Sequence, residues 1–101
     1  MTGSFWTNYR TVVEEKTATE SVDDLKRKYE RFADQWDGFV WLVSRTPEDI
    51  GKSKEVNGVT YYVAHRAGDM SIGLVDFAVV YTVSHGEVNI IDVQAWDDFD
   101  E

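Results

Sequence analysis

Six side chains in this sequence are suited to moving a proton or balancing anionic charge: Lys52, Lys54, His65, Arg66, Tyr81 and His85. They could furnish a base, a cation for a developing negative charge and an acid for a leaving oxygen. Proton transfer by a placed side chain is worth roughly 10²–10⁴ in rate. Lys52 and Lys54 lie in the segment that leads into a strand-rich half. His65 and Arg66 are consecutive at the end of a strand, so they point to opposite faces unless a bulge intervenes. Tyr81 is mid-strand, where a place in the core or a cleft wall competes with chemistry, and His85 sits in a turn. Against any functional role stands the ordinary one: exposed lysines are usually solvated surface, and lone histidines are more often hydrogen-bonded than catalytic.

Other chemistry finds no residues. The chain has no cysteine and two histidines, which leaves no thiolate, no disulfide and no paired metal-ligand spacing, so neither a metal nor a cofactor is expected. No P-loop, GxGxxG or GxSxG occurs. Trp6, Trp36, Trp41 and Trp96 could stack bases, but Trp36 and Trp41 fall on or near an apolar helical face and are expected to pack. Trp96, beside Asp97 and Asp98, is the tryptophan expected to meet a partner.

Charge narrows the partners. The formal net charge is -9, which disfavours DNA backbones and anionic membranes, because counterion release needs clustered Lys and Arg. Up to Arg66 there are ten basic and eleven acidic residues, whereas from Ala67 onward there are eight acids and no Lys or Arg. No stretch is apolar and long enough for a membrane span or signal peptide. A cytoplasmic location is therefore expected.

These residues must be positioned by one domain, 1–101, with an acidic end at 97–101 expected to fray. Val22, Leu25, Tyr29, Phe32, Trp36, Phe39, Val40 and Val43 recur every three or four residues and predict one long amphipathic helix over 21–44. Ser21 and Asp24 resemble a capping box, and Pro47 stops the helix. Gly38 is tolerated at about 1 kcal/mol. A shorter helix is predicted after Ser4 from Phe5, Tyr9, Val12, Val13 and Lys16, with 17–20 as the connection. Period-two, β-branched and aromatic runs predict strands over 59–66, 72–83 and 87–96, and Asn57-Gly58 predicts a hairpin turn from a short strand near Lys54. The fold expected is α+β, a helical hairpin on one face of a three- to four-stranded antiparallel sheet. Val75, Phe77, Val79, Tyr81 and Val83 would share the helix face. Leu74, Ala78 and Val80 leave the other face too apolar for bare solvent.

Three passages resemble the RelE/ParE toxin superfamily. The first is Trp41-Leu42-Val43-Ser44-Arg45-Thr46-Pro47, similar to the family's helix end and proline. The second is Asn57-Gly58-Val59-Thr60-Tyr61-Tyr62-Val63, similar to the start of its next strand. The third is Asp76-Phe77-Ala78-Val79-Val80-Tyr81-Thr82-Val83 with Glu87-Val88-Asn89-Ile90-Ile91-Asp92-Val93, similar to its middle and returning strands. The resemblance implies the toxin of a toxin–antitoxin pair, an antitoxin-like protein partner, and mRNA cleavage at the ribosome with Lys52, Lys54, His65, Arg66 and Tyr81 as candidates. The sequence departs where the family carries arginine, here Ala78, and where it carries basic residues and tyrosine near the end, here Gln94-Ala95-Trp96-Asp97-Asp98-Phe99. Those departures and the acidic last third favour a non-catalytic protein-interaction module, and the net charge fits a further alternative, an acidic inhibitor presenting carboxylates to a basic enzyme.

Overall fold

The computed structural model describes residues 9–96. Strand β1 (Thr11–Glu14) is followed by α1 (Lys16–Lys28), α2 (Phe32–Arg45) and the short α3 (Pro47–Ile50). Then come β2 (Lys52–Val56), β3 (Val59–Arg66), a 3-10 turn at Met70–Ile72, β4 (Asp76–Ser84) and β5 (Glu87–Trp96). The five strands form one sheet in the order β1-β5-β4-β3-β2. It is mixed: β1 runs parallel to β5, and every other pairing is antiparallel.

The predicted strands β3 and β5 and the predicted hairpin are present. Asn57 and Gly58 both have positive φ, 53° and 82°, the requirement of a type I′ turn whose twist matches the flanking strands. The expected three- to four-stranded antiparallel sheet is corrected by β1. Residues 9–16 are not one helix: Val12 and Val13 lie in a strand whose residues alternate between exposed and half-buried. Four β-branched or alternating residues are too few to tell a strand from a helical turn by periodicity. Phe5, the proposed start of that helix, lies outside the described residues, as do Trp6 and the acidic end 97–101.

The long helix is also corrected. The chain breaks between Lys28 and Phe32, where Tyr29 is extended and its N–H still bonds the Leu25 carbonyl. The three-to-four spacing runs through the break and conceals it. A straight helix over 21–44 would be about 36 Å long and could cover only one strip of a five-stranded sheet. Two shorter helices cover more of it. The first helix therefore starts earlier, so residues 17–20 and Ser21 are interior to α1 rather than a connection and a cap. Pro47 does follow the end of α2, as the first residue of α3.

Both helices pack on one face. Ala18 and Val22 of α1 and Phe32, Trp36, Phe39 and Val43 of α2 join Ala64, Val75, Phe77, Val79, Tyr81, Val88, Ile90 and Val93 in a single core. Phe77 is at its centre, edge-on to Phe32 with centroids 5.3 Å apart and to Phe39 at 5.9 Å. One carboxylate ties three elements together: Glu14 of β1 accepts from Thr19 Oγ1 of α1 at 2.8 Å and from Trp36 Nε1 of α2 at 3.0 Å. Gln35 extends α2 to the sheet, its amide donating to the Val75 carbonyl at 2.9 Å and accepting from the Val75 N–H at 3.1 Å.

The loop before β4 closes tightly at Gly68, whose N–H donates to Asp76 Oδ1 at 2.6 Å. A Cβ there would overlap the Leu74 carbonyl oxygen and the Val75 carbonyl group. Both are backbone atoms that cannot swing aside. Gly68→Ala is expected to cost about 1–3 kcal/mol, read as a lower urea midpoint with unchanged m-value.

Candidate functional site

The helices cover one face of the sheet, and no described element covers the other. Which residues look out from that open face follows from pairing, because cross-strand partners share a face and neighbours along a strand alternate. Ala64, Phe77, Val79, Tyr81 and Ile90 are buried beneath the helices. Their neighbours in sequence therefore point the other way. The open face carries Lys52, Lys54 and Val56 of β2, Val59, Tyr61, Val63 and His65 of β3, and Asp76, Ala78, Val80 and Thr82 of β4. Beside these stand Asn89, Asp92, Gln94 and Trp96 of β5.

Of the five candidate residues, the sheet gathers three. Lys52 is paired with Val63, and His65 lies two residues further along β3, which sets Lys52 and His65 roughly 8 Å apart at the Cα atoms. Lys54, opposite Tyr61, continues the same edge. β2 is one of the two edge strands, exposed along its whole length, and its lysines suit an edge that must not pair indiscriminately. The His65 ring lies 5.6 Å from the Trp96 ring at a tilt of 38°, so the two form a small aromatic step at the far corner. This arrangement offers a cation and a titratable imidazole on one surface, beside flat apolar side chains.

Arg66 and Tyr81 face the helices. Arg66 is paired with Phe77 and borders a depression of about 310 Å³ with Asp34, Gln35, Phe39 and Leu74. The alternation of His65 and Arg66 is not relieved by any bulge in the β3–β4 ladder. Tyr81 is fully buried, stacked on Tyr62 with centroids 5.6 Å apart. Its hydroxyl donates to the Pro47 carbonyl at 2.6 Å. Burial, with smaller contributions from Tyr62 and Glu48, pushes its pKa up to about 12. At neutral pH Tyr81 is a protonated tether between sheet and α3. His85 is exposed in the β4–β5 turn.

Two features escape the sequence reading. Trp41, expected to pack, is 58% exposed. The Arg45 guanidinium lies 3.9 Å from both its ring and that of Tyr9, a cation held between two aromatic faces. Asp92 looks outward because of a bulge: Val80 pairs with Asp92 but Tyr81 pairs with Ile90, leaving Ile91 unmatched. Strict alternation through β5 would place Asp92 on the side of Val88 and Ile90. Only the pairing of β4 with β5 reveals the slip.

Among the described residues no group of three His, Asp or Glu is gathered to hold a metal ion, and no helix is long and apolar enough to cross a membrane. No protein-family model, curated protein or solved structure matches this chain, so its functional reading rests on the open face of the sheet and on the residues displayed there.

Proposed function

We propose that this chain is a cytoplasmic RelE/ParE-like toxin of a toxin–antitoxin pair, with the open sheet face as its working surface and mRNA at the ribosome as its target. The observation that carries the reading is the convergence of Lys52, Lys54 and His65 on that face. Helices α1 and α2 ahead of the antiparallel strands β2 to β5 also support it, whereas β1, which precedes them, is no part of the order the resemblance implies. In this reading the lysines balance phosphate charge and His65 exchanges the proton. An antitoxin-like protein would act by covering the same face.

A second reading, a non-catalytic interaction module on the same fold, is favoured by the placement of Tyr81 and Arg66 away from the open face and by Ala78 at its centre. Inducible expression in bacteria, with growth and transcript integrity followed together, separates the two. Growth arrest with cleaved transcripts is expected of the toxin, with Lys52→Ala or His65→Ala lowering cleavage by about 10²-fold. Normal growth with intact mRNA overturns it and leaves the interaction module.

A further inference from the structure

Across β2 to β5 the open face carries lysines on β2, the Asp92 carboxylate on β5 and valines on the strands between them. Among the described residues eight large hydrophobic side chains are exposed, and five of them lie on this face: Val13, Val56, Val59, Val63 and Trp96. Across the strands one row reads Lys52, Val63, Val80, Asp92. Read from the other end, the same row has the opposite charges around the same two valines. It is complementary to its own reverse.

We infer that the open face is a two-fold interface, and that a second copy of this chain is its occupant. The axis would run along the strands, between β3 and β4. Such a rotation keeps position along each strand and reverses the order of strands across the sheet. Lys52 then meets Asp92 of the other copy, Val63 meets Val80, and Val80 and Asp92 make the same contacts in return. In the adjoining row, His65, Ala78 and Gln94, His65 falls over Ala78 of the other copy, where a methyl side chain leaves room for the ring. An isologous interface needs this self-complementarity, and face-to-face packing of aligned sheets is an ordinary way to bury two half-apolar faces.

Within one chain Lys52 and Asp92 stand on strands separated by two others, about 14 Å apart. Neither has an ion-pair partner among the described residues; Asp92 accepts only from Gln94 Nε2, at 3.5 Å. A second copy supplies the missing partner to each. Four strands of this length make a patch roughly 20 Å by 25 Å, at the low end of what a stable complex buries. The dimer is therefore weak and concentration-dependent. While formed, it covers Lys52 and His65, so the face cannot serve another macromolecule at the same time. The inference does not depend on the toxin reading.

The full chain tests it by sedimentation velocity from about 10 µM to about 1 mM. The mass is expected to climb from the monomer's 11.6 kDa toward twice that value, and less steeply at high salt. Lys52→Asp and Asp92→Lys should each weaken association at least tenfold, through like charges opposed across the interface. Mixed in equal amounts, the two variants should recover it. The substituted position of one variant then faces the substituted position of the other with opposite charge, and the two remaining native groups, Lys52 and Asp92, pair as in the wild type. Only a contact between two copies gives that recovery. Both positions are on the surface, and circular dichroism of each variant verifies its fold. A second measurement needs no variant: on dilution of the wild type, amide resonances of Val63, His65, Ala78 and Val80 should shift together. A monomer at every concentration, a dimer indifferent to both substitutions, or concentration-dependent shifts confined to other residues would each overturn the proposal.

Discussion

Phe77→Ala is expected to remove about 3–5 kcal/mol of folding stability, a large share of what a domain of this size holds. Phe77 is 3% exposed and is the ring on which α2 is seated. Phe32 and Phe39 meet it at angles of 78°, with centroids 5.3 and 5.9 Å away, and Trp36 lies at 6.4 Å. Edge-to-face pairs of this kind add to the area buried. Truncation to a methyl group leaves a cavity under three aromatic side chains, and rings held by one another cannot collapse into it. At about 4–8 °C per kcal/mol for a domain of this size, the melting temperature should fall by more than about 12 °C. Phe77→Leu, which keeps most of the volume, should cost under about 1.5 kcal/mol. A similar midpoint for the two variants in urea would show that the site relaxes, and that Phe77 does not seat the helix.

The second large effect is alkaline. Tyr81 ionises at about 12 in the folded protein against an ordinary value of 10.0. Between these values the unfolded chain has released the proton and the folded chain retains it, so unfolding releases a proton and stability falls as pH rises. Below about pH 10 the tyrosine is protonated in both states and its contribution does not vary. Across the full window the loss is about 3 kcal/mol. Tyr81→Phe separates this from the ionisation of the other tyrosines. The variant should start about 1–3 kcal/mol less stable near neutral pH, because the Pro47 carbonyl loses its buried donor. It should then show a shallower decline from about pH 10 to 12. Denaturant titrations near neutral pH, at about pH 10 and at about pH 11.5 give both numbers. Parallel curves for wild type and variant would place the Tyr81 hydroxyl in contact with water.

The sequence carried the parts of the fold in which local preference and burial agree. Val59–Arg66 and Glu87–Trp96 are β-branched runs bounded by turns. Asn57-Gly58 can hardly form anything but a tight hairpin, and the inward set Val75, Phe77, Val79 and Tyr81 follows from alternation alone. Lys52 and Lys54 were legible only as basic residues leading into the strands; the pairing of β2 with β3 is what sets them on one face of an edge strand.

The remainder was decided by partners far apart in the chain. Thr11–Glu14 becomes a strand because β5 offers it a free edge to run beside, and four residues hold no period strong enough to announce that. The helix divides at 29–31 with neither glycine nor proline, because both apolar faces must reach one broad sheet; a periodicity that continues across the break cannot mark it. Trp41 lies close enough to the apolar stripe to read as packing, but rotation of α2 onto Phe77 turns it outward to Arg45. Asp92 reaches the open face only through the slip between β4 and β5. The chain's own residues thus determined two faces of unequal polarity. Only the tertiary pairing decided that Lys52 and Asp92 would stand at opposite ends of one row, because strand register is a property of pairs and no single strand contains it.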